Sequence, residues 1–135
     1  LDTNVLVSGF LWNGSPRRIL ARIERRQDLL FVTRDLLVEF ERVLSYPKIA
    51  RVLAAAQQQP ADLIRWLAAN ATIVLAKPLD RVTVPDDPSD DAVLACAAAA
   101  GADVIVSGDK HLLTLASYHG IPIVPAGTHI RRQRK

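Results

Sequence analysis

The chain has 135 residues, half of them hydrophobic and 23% charged, with a formal net charge of +3. That length suits one compact domain with a real core, leaves little room for a second, and argues against disorder. The apolar runs are too short to span a bilayer and no signal-peptide pattern opens the sequence. A lone cysteine cannot build a disulfide framework, so a reducing, cytoplasmic setting is expected.

Leu1-Asp2 reads as the end of a strand rather than its start, which implies a few apolar residues upstream. Asn13-Gly14 marks a turn, and Ser15-Pro16 suits the N-cap and first position of a helix running to about Arg26, with Ile19, Leu20 and Ile23 inward. LLFVT (29–33) predicts a short buried strand. Thr33 then caps a helix over RDLLVEFERVLSY, whose Leu36, Leu37, Phe40, Val43 and Leu44 form one apolar stripe, and Pro47 ends it.

A helical stretch follows from Lys48 to about Gln57. Pro60 opens another, with Leu63, Ile64 and Leu67 on one side, and ATIVLA (71–76) predicts a strand. VPDDPSDD is a loop rich in turn formers and acids, in which Asp87 reads as a loop residue. From Asp90 an alanine-rich helix runs to about Ala100 and is closed by Gly101. DVIVS (103–107) has the composition of a strand buried on both faces. A short helix (Lys110 to Tyr118), a last strand, IPIVP, and a basic tail over 129–135 complete the chain.

Strands alternating with helices predict an α/β fold of three layers, α/β/α, around a central, mostly parallel sheet. One domain covers 1–128, its first strand truncated. In such sheets ligands bind beyond the carboxyl ends of the strands. Asp2 and Asp109 each follow a predicted strand there, and Asp90 and Asp91 open a helix after the acidic loop. Carboxylates gathered at one edge repel one another unless cations neutralise them, and all-oxygen ligands select hard cations, so Mg2+ or Mn2+ is the expected cofactor. A fourth acid can come from the helix at 34–46, where Glu39 and Glu41 lie on opposite flanks of the apolar stripe; periodicity does not choose between them. Zinc spacing and Gly-rich phosphate loops are both absent.

LDTNVLVSG, TRDLLVEFERVLSYPKI and DPSDDAVLACAAAAGADVIVSGDKHLL, in that order, closely resemble the PIN-domain family, and most strongly its bacterial toxin-component branch related to VapC-type toxins. The resemblance implies the same α/β/α fold and a Mg2+- or Mn2+-dependent endoribonuclease, the toxin of a pair, with RNA as substrate, an antitoxin protein as partner and a homodimeric state. It places the family's acids on Asp2, Glu39 and Asp109, with Asn4 and Ser107 in support. The third acid falls on Asp90 or Asp91, depending on the branch used for counting. Asp90 shares a helix face with Leu94 and Ala97, which turns it inward and favours it over Asp91.

Other readings weigh less. Phosphoryl transfer through an aspartyl intermediate, as in haloacid-dehalogenase phosphatases, needs a second aspartate where Asn4 stands. A non-catalytic module binding RNA or protein remains the alternative, against which stands an acid at all four family positions. Cys96 reads as a small core residue, Trp12 and Trp66 as core or interface aromatics, and His111 as a surface helix residue. His119 and His129 are dispersed, with no nucleophile to serve. The basic stretches RRILARIERR and HIRRQRK can attract phosphate, or simply form a solvated helix face and a tail.

Overall fold

The computed structural model describes residues 1–76 and 88–133; Asp87 and the rest of 77–87 lie outside it, as do Arg134 and Lys135. The elements run α1 (Thr3–Leu11), α2 (Ser15–Glu24), β1 (Leu30–Val32), α3 (Arg34–Leu44), α4 (Pro47–Ala55), α5 (Pro60–Asn70) and β2 (Ala71–Ile73). They continue with α6 (Pro88–Ala100), β3 (Ile105–Val106), α7 (Lys110–Leu115), β4 (Ser117–Tyr118), β5 (Ile121–Val124) and α8 (Ala126–Gln133). β1 pairs parallel with β2, and β3 pairs parallel with β5, which also takes β4 antiparallel.

The strands separate two apolar cores, as alternation along a pleat requires. Leu30 and Val32 of β1 and Val106 of β3 enter one core with Ile19 and Ile23 of α2, Phe40 of α3 and Leu67 of α5. Phe31 and Ile105, the alternate residues, enter the other with Val93, Leu94 and Ala97 of α6 and Leu112 of α7. Helices thus cover both faces of the strands, the α/β/α arrangement.

Local chemistry explains most boundaries. The Thr33 hydroxyl accepts from the Leu36 N–H and starts α3. Pro47 and Pro60 stand at the first position of α4 and α5, where the missing N–H has no helical partner to lose. Gly101 takes φ 61° after α6, the left-handed conformation that closes helices.

Several elements differ from the sequence reading. Leu1-Asp2 is not itself a strand but lies along β3, the Asp2 N–H donating to the Val106 carbonyl at 3.0 Å. The nine residues after it form α1, which the sequence reading lacked; it is buried on most sides, so no helical period marks it. Its Gly9 abuts α2 so closely that a Cβ there would meet Leu20 Cδ1 at 2.6 Å. Gly14, not Ser15, is the N-cap of α2, whose helix ends at Glu24. α3 stops at Leu44, short of Tyr46; Pro47 opens the following helix as much as it closes this one. α6 starts at Pro88, two residues before Asp90. The helix expected to reach Tyr118 stops at Leu115, because Ser117-Tyr118 forms a hairpin with β5 across His119-Gly120. Both turn residues have positive φ (50° and 79°), the conformation of a tight two-residue hairpin turn.

The basic stretch from His129 is part of helix α8 as far as Gln133, with His129 and Ile130 buried. Trp12 is exposed. Trp66 packs edge-on against Phe10 at 5.1 Å and its indole N–H donates to Glu24. Between β1 and β3 lies a cavity of about 790 Å3, bounded by Ile23, Leu30, Phe31, Val93 and Val106; the candidate acids do not line it.

Candidate metal-binding site

β3 and β5 run parallel, and their carboxyl ends deliver the chain to Ser107 and to α8 at one edge of the sheet. Ser107 is wholly buried and its N–H donates to the Val124 carbonyl, which fixes it at the end of β3. Its hydroxyl donates to Asp2 Oδ2 and accepts from the Asp109 N–H at 2.9 Å. One serine therefore joins the aspartate before α1 to the aspartate before α7.

Both aspartates are also helix caps. Asp2 Oδ1 accepts from the Val5 N–H at 2.9 Å, and the residue is 6% exposed. Asp109 Oδ1 accepts from the His111 N–H at 2.8 Å and from the Leu112 N–H at 3.3 Å. First-turn N–H groups have no helical acceptor, so an N-cap carboxylate is locked in orientation by donors that need it. The chain thus holds these carboxylates in place before any ligand arrives.

Asp90 reaches the same edge from the first turn of α6 and is 5% exposed. It shares the buried face of that helix with Leu94 and Ala97, whereas Asp91 is only half-buried. One oxygen of Asp90, one of Asp109 and an imidazole nitrogen of His111 lie within 4.8 Å of one another. His111 Nδ1 stands 3.9 Å from Asp90 Oδ2 and 3.9 Å from Asp109 Oδ1.

Glu39 is half-buried on α3, where Oε1 accepts from Arg42 at 3.2 Å. It is not part of the tight group, although α3 packs against both α1 and α6, the helices next to Asp2 and Asp90. Asn4 is exposed on α1. The structure thus links Asp2, Ser107 and Asp109, and gathers Asp90, Asp109 and His111. Sequence reasoning had set His111 aside as a surface residue; only its position two residues after Asp109 pointed to it.

The other reactive side chains are occupied elsewhere. Cys96 is buried, its thiol is pushed up by desolvation, and it donates weakly to the Phe31 carbonyl. Among the described residues this is no microenvironment for a thiolate nucleophile. His129 meets Asp28 at 2.9 Å, and Arg22 meets the same carboxylate at 3.0 Å. Burial would raise the Asp28 pKa, but hydrogen bonds and charge from Arg22 and His129 prevail and hold it below its ordinary value.

Hard and borderline donors from three separate segments, set at the carboxyl edge of parallel strands of an α/β fold, form a group that could hold a metal ion. A family model described as PIN domain matches residues 1–111, and the chain belongs to that family. PIN domains are generally nucleases that use divalent metals. Neither the curated proteins nor the solved structures gave a match. No helix among the described residues is long and apolar enough to cross a membrane.

Proposed function

We propose that this PIN-domain chain is a Mg2+- or Mn2+-dependent endoribonuclease of the cytoplasm, and the toxin of a toxin–antitoxin pair of the VapC type. The observation that carries the nuclease reading is the Asp2–Ser107–Asp109 link with Asp90 beside it. Carboxylates this close repel one another, and a divalent cation relieves that repulsion. The donor set fits such an ion: Asp2, Asp90 and Asp109 would hold it, with Glu39 as a further acid of the site, Asp91 as the alternative to Asp90, and Asn4 in support. When bound, the cation supplies Lewis acidity toward a phosphodiester and lowers the pKa of water.

The remaining work falls to the chain itself. Ser107 fixes the Asp2 carboxylate in orientation, and the first turn of α7 fixes that of Asp109. Preset ligands need no reorganisation when charge develops on the attacked phosphate. RNA as substrate is supported by the two basic stretches, which the fold brings side by side as α2 and α8 with Arg18, Arg25, Arg131 and Arg132 exposed.

The test is cleavage of end-labelled RNA. Activity should require added Mg2+ or Mn2+, vanish with EDTA, and be absent from Asp2→Asn. RNA binding without cleavage under any divalent ion would favour the alternative, a non-catalytic binding module. An antitoxin partner predicts that co-expression with the product of an adjacent gene relieves toxicity; a homodimer, which rests on the resemblance alone, predicts that sedimentation at micromolar concentration shows more than a 14.8 kDa species.

A further inference from the structure

We propose that His111 is itself a metal ligand, which makes the centre a mixed nitrogen–oxygen site that prefers Mn2+ to Mg2+. The inference rests on the carboxylates binding a cation, and it goes beyond the nuclease reading by naming a ligand that the acidic motif does not contain.

The argument begins with distance. At 3.9 Å from both carboxylates, His111 Nδ1 is too far to hydrogen-bond with either. The spacing instead suits a shared ion. With the third side of their triangle no longer than 4.8 Å, a point equidistant from the three atoms lies no more than about 2.5 Å from each, within reach of nitrogen and oxygen ligands of divalent cations. The nitrogen that faces the acids is the ring atom nearer the backbone.

The backbone holds that arrangement. The His111 N–H donates to Asp109 Oδ1, so the first turn of α7 places the imidazole on the same side as the carboxylate that caps the helix. The side chain is 56% exposed, so little packing is lost when it coordinates. Contrast His129, whose nitrogen meets a carboxylate directly at 2.9 Å and is 9% exposed.

Ligand type then decides selectivity. Mg2+ takes oxygen ligands and releases water reluctantly, whereas imidazole nitrogen suits transition ions. Replacing one water or carboxylate by imidazole therefore favours Mn2+ over Mg2+.

Pulsed electron paramagnetic resonance of the Mn2+-loaded full chain tests this without reference to activity. Wild type should show coupling to a directly bound 14N nucleus. His111→Ala should lose that coupling and bind Mn2+ about tenfold more weakly or worse, with a smaller loss for Mg2+ in competition. The main-chain anchor to Asp109 survives that substitution, so the fold is retained. His111→Asp should recover affinity through oxygen, still lack the nitrogen signal, and shift preference back toward Mg2+. Bound Mn2+ without 14N coupling in wild type would overturn the proposal while leaving the nuclease reading intact. Nitrogen coupling in a protein that cleaves no RNA would uphold it and sink that reading instead. Failure of wild type to bind Mn2+ at all would overturn both.

Discussion

Among the described residues, two clusters pair aspartate with histidine and are arranged to opposite ends. Around Asp28, the protein's own side chains close on the carboxylate: Arg22 at 3.0 Å and His129 at 2.9 Å. Between Asp90 and Asp109, His111 stops at 3.9 Å from each, and the two carboxylates share it. The first cluster is complete without a ligand and ties α8 to α2. The second has the spacing that an ion would complete. Contact distance, rather than residue type, separates this closed ion pair from the metal centre proposed above.

The sharpest way to break this comparison is to neutralise one acid at a time. Asp90→Asn should fold normally yet lose cleavage by on the order of 10³-fold, because the cation needs charge and not shape. Asp91→Asn should keep cleavage and lose at most about 1 kcal/mol from the dipole of α6. Adjacent helical positions point about 100° apart, so only one of the pair aims at the cluster. Cleavage assays with circular dichroism decide it: an inactive Asp91→Asn beside an active Asp90→Asn would reverse the assignment.

A smaller effect is expected at the closed cluster, in stability alone. Asp28→Asn should cost about 1 kcal/mol at neutral pH, after allowance for solvent screening, and leave Mn2+ affinity unchanged. Its pKa is depressed in the folded protein, so its contribution is full above the ordinary value of 3.8 and lost as pH falls through the lower folded value. Urea unfolding should therefore show wild type and Asp28→Asn converging in acid. A gap that persists undiminished at low pH would mean that packing, not charge, is what Asp28 contributes. Smallest of all, His129→Gln retains a donor for Asp28 and should cost roughly 0.5 kcal/mol, measured in the same way.

Much of this architecture is legible in the sequence where a single residue determines local geometry. Thr33 announces α3, Pro60 announces α5, and Gly101 marks the end of α6. The inward turn of Asp90 follows from Leu94 and Ala97 on its face. What stays hidden depends on tertiary context. α1 carries Val5, Leu6 and Val7 in a row, all buried, and only Asn4 is exposed, so the apolar run masks the helical period. α8 is masked by its arginines, although Ile130 and His129 bury one side. His111 is invisible as a ligand candidate because its partners sit at two places in the sequence, one beside it and one on a different helix.

The capping role of Asp2 and Asp109 has a consequence for how such a site persists in evolution. An acid that serves only a metal can be lost while the fold survives, leaving an inert but stable protein. Here, removing either carboxylate also strips a helix of its N-terminal acceptor, at about 1 kcal/mol for a change to alanine. Selection for folding therefore guards the two positions even in periods when the activity is not needed. Asparagine is the substitution that escapes, since its amide oxygen still accepts the helix N–H groups. Inactive descendants of this chain should accordingly carry asparagine at these two places more often than alanine.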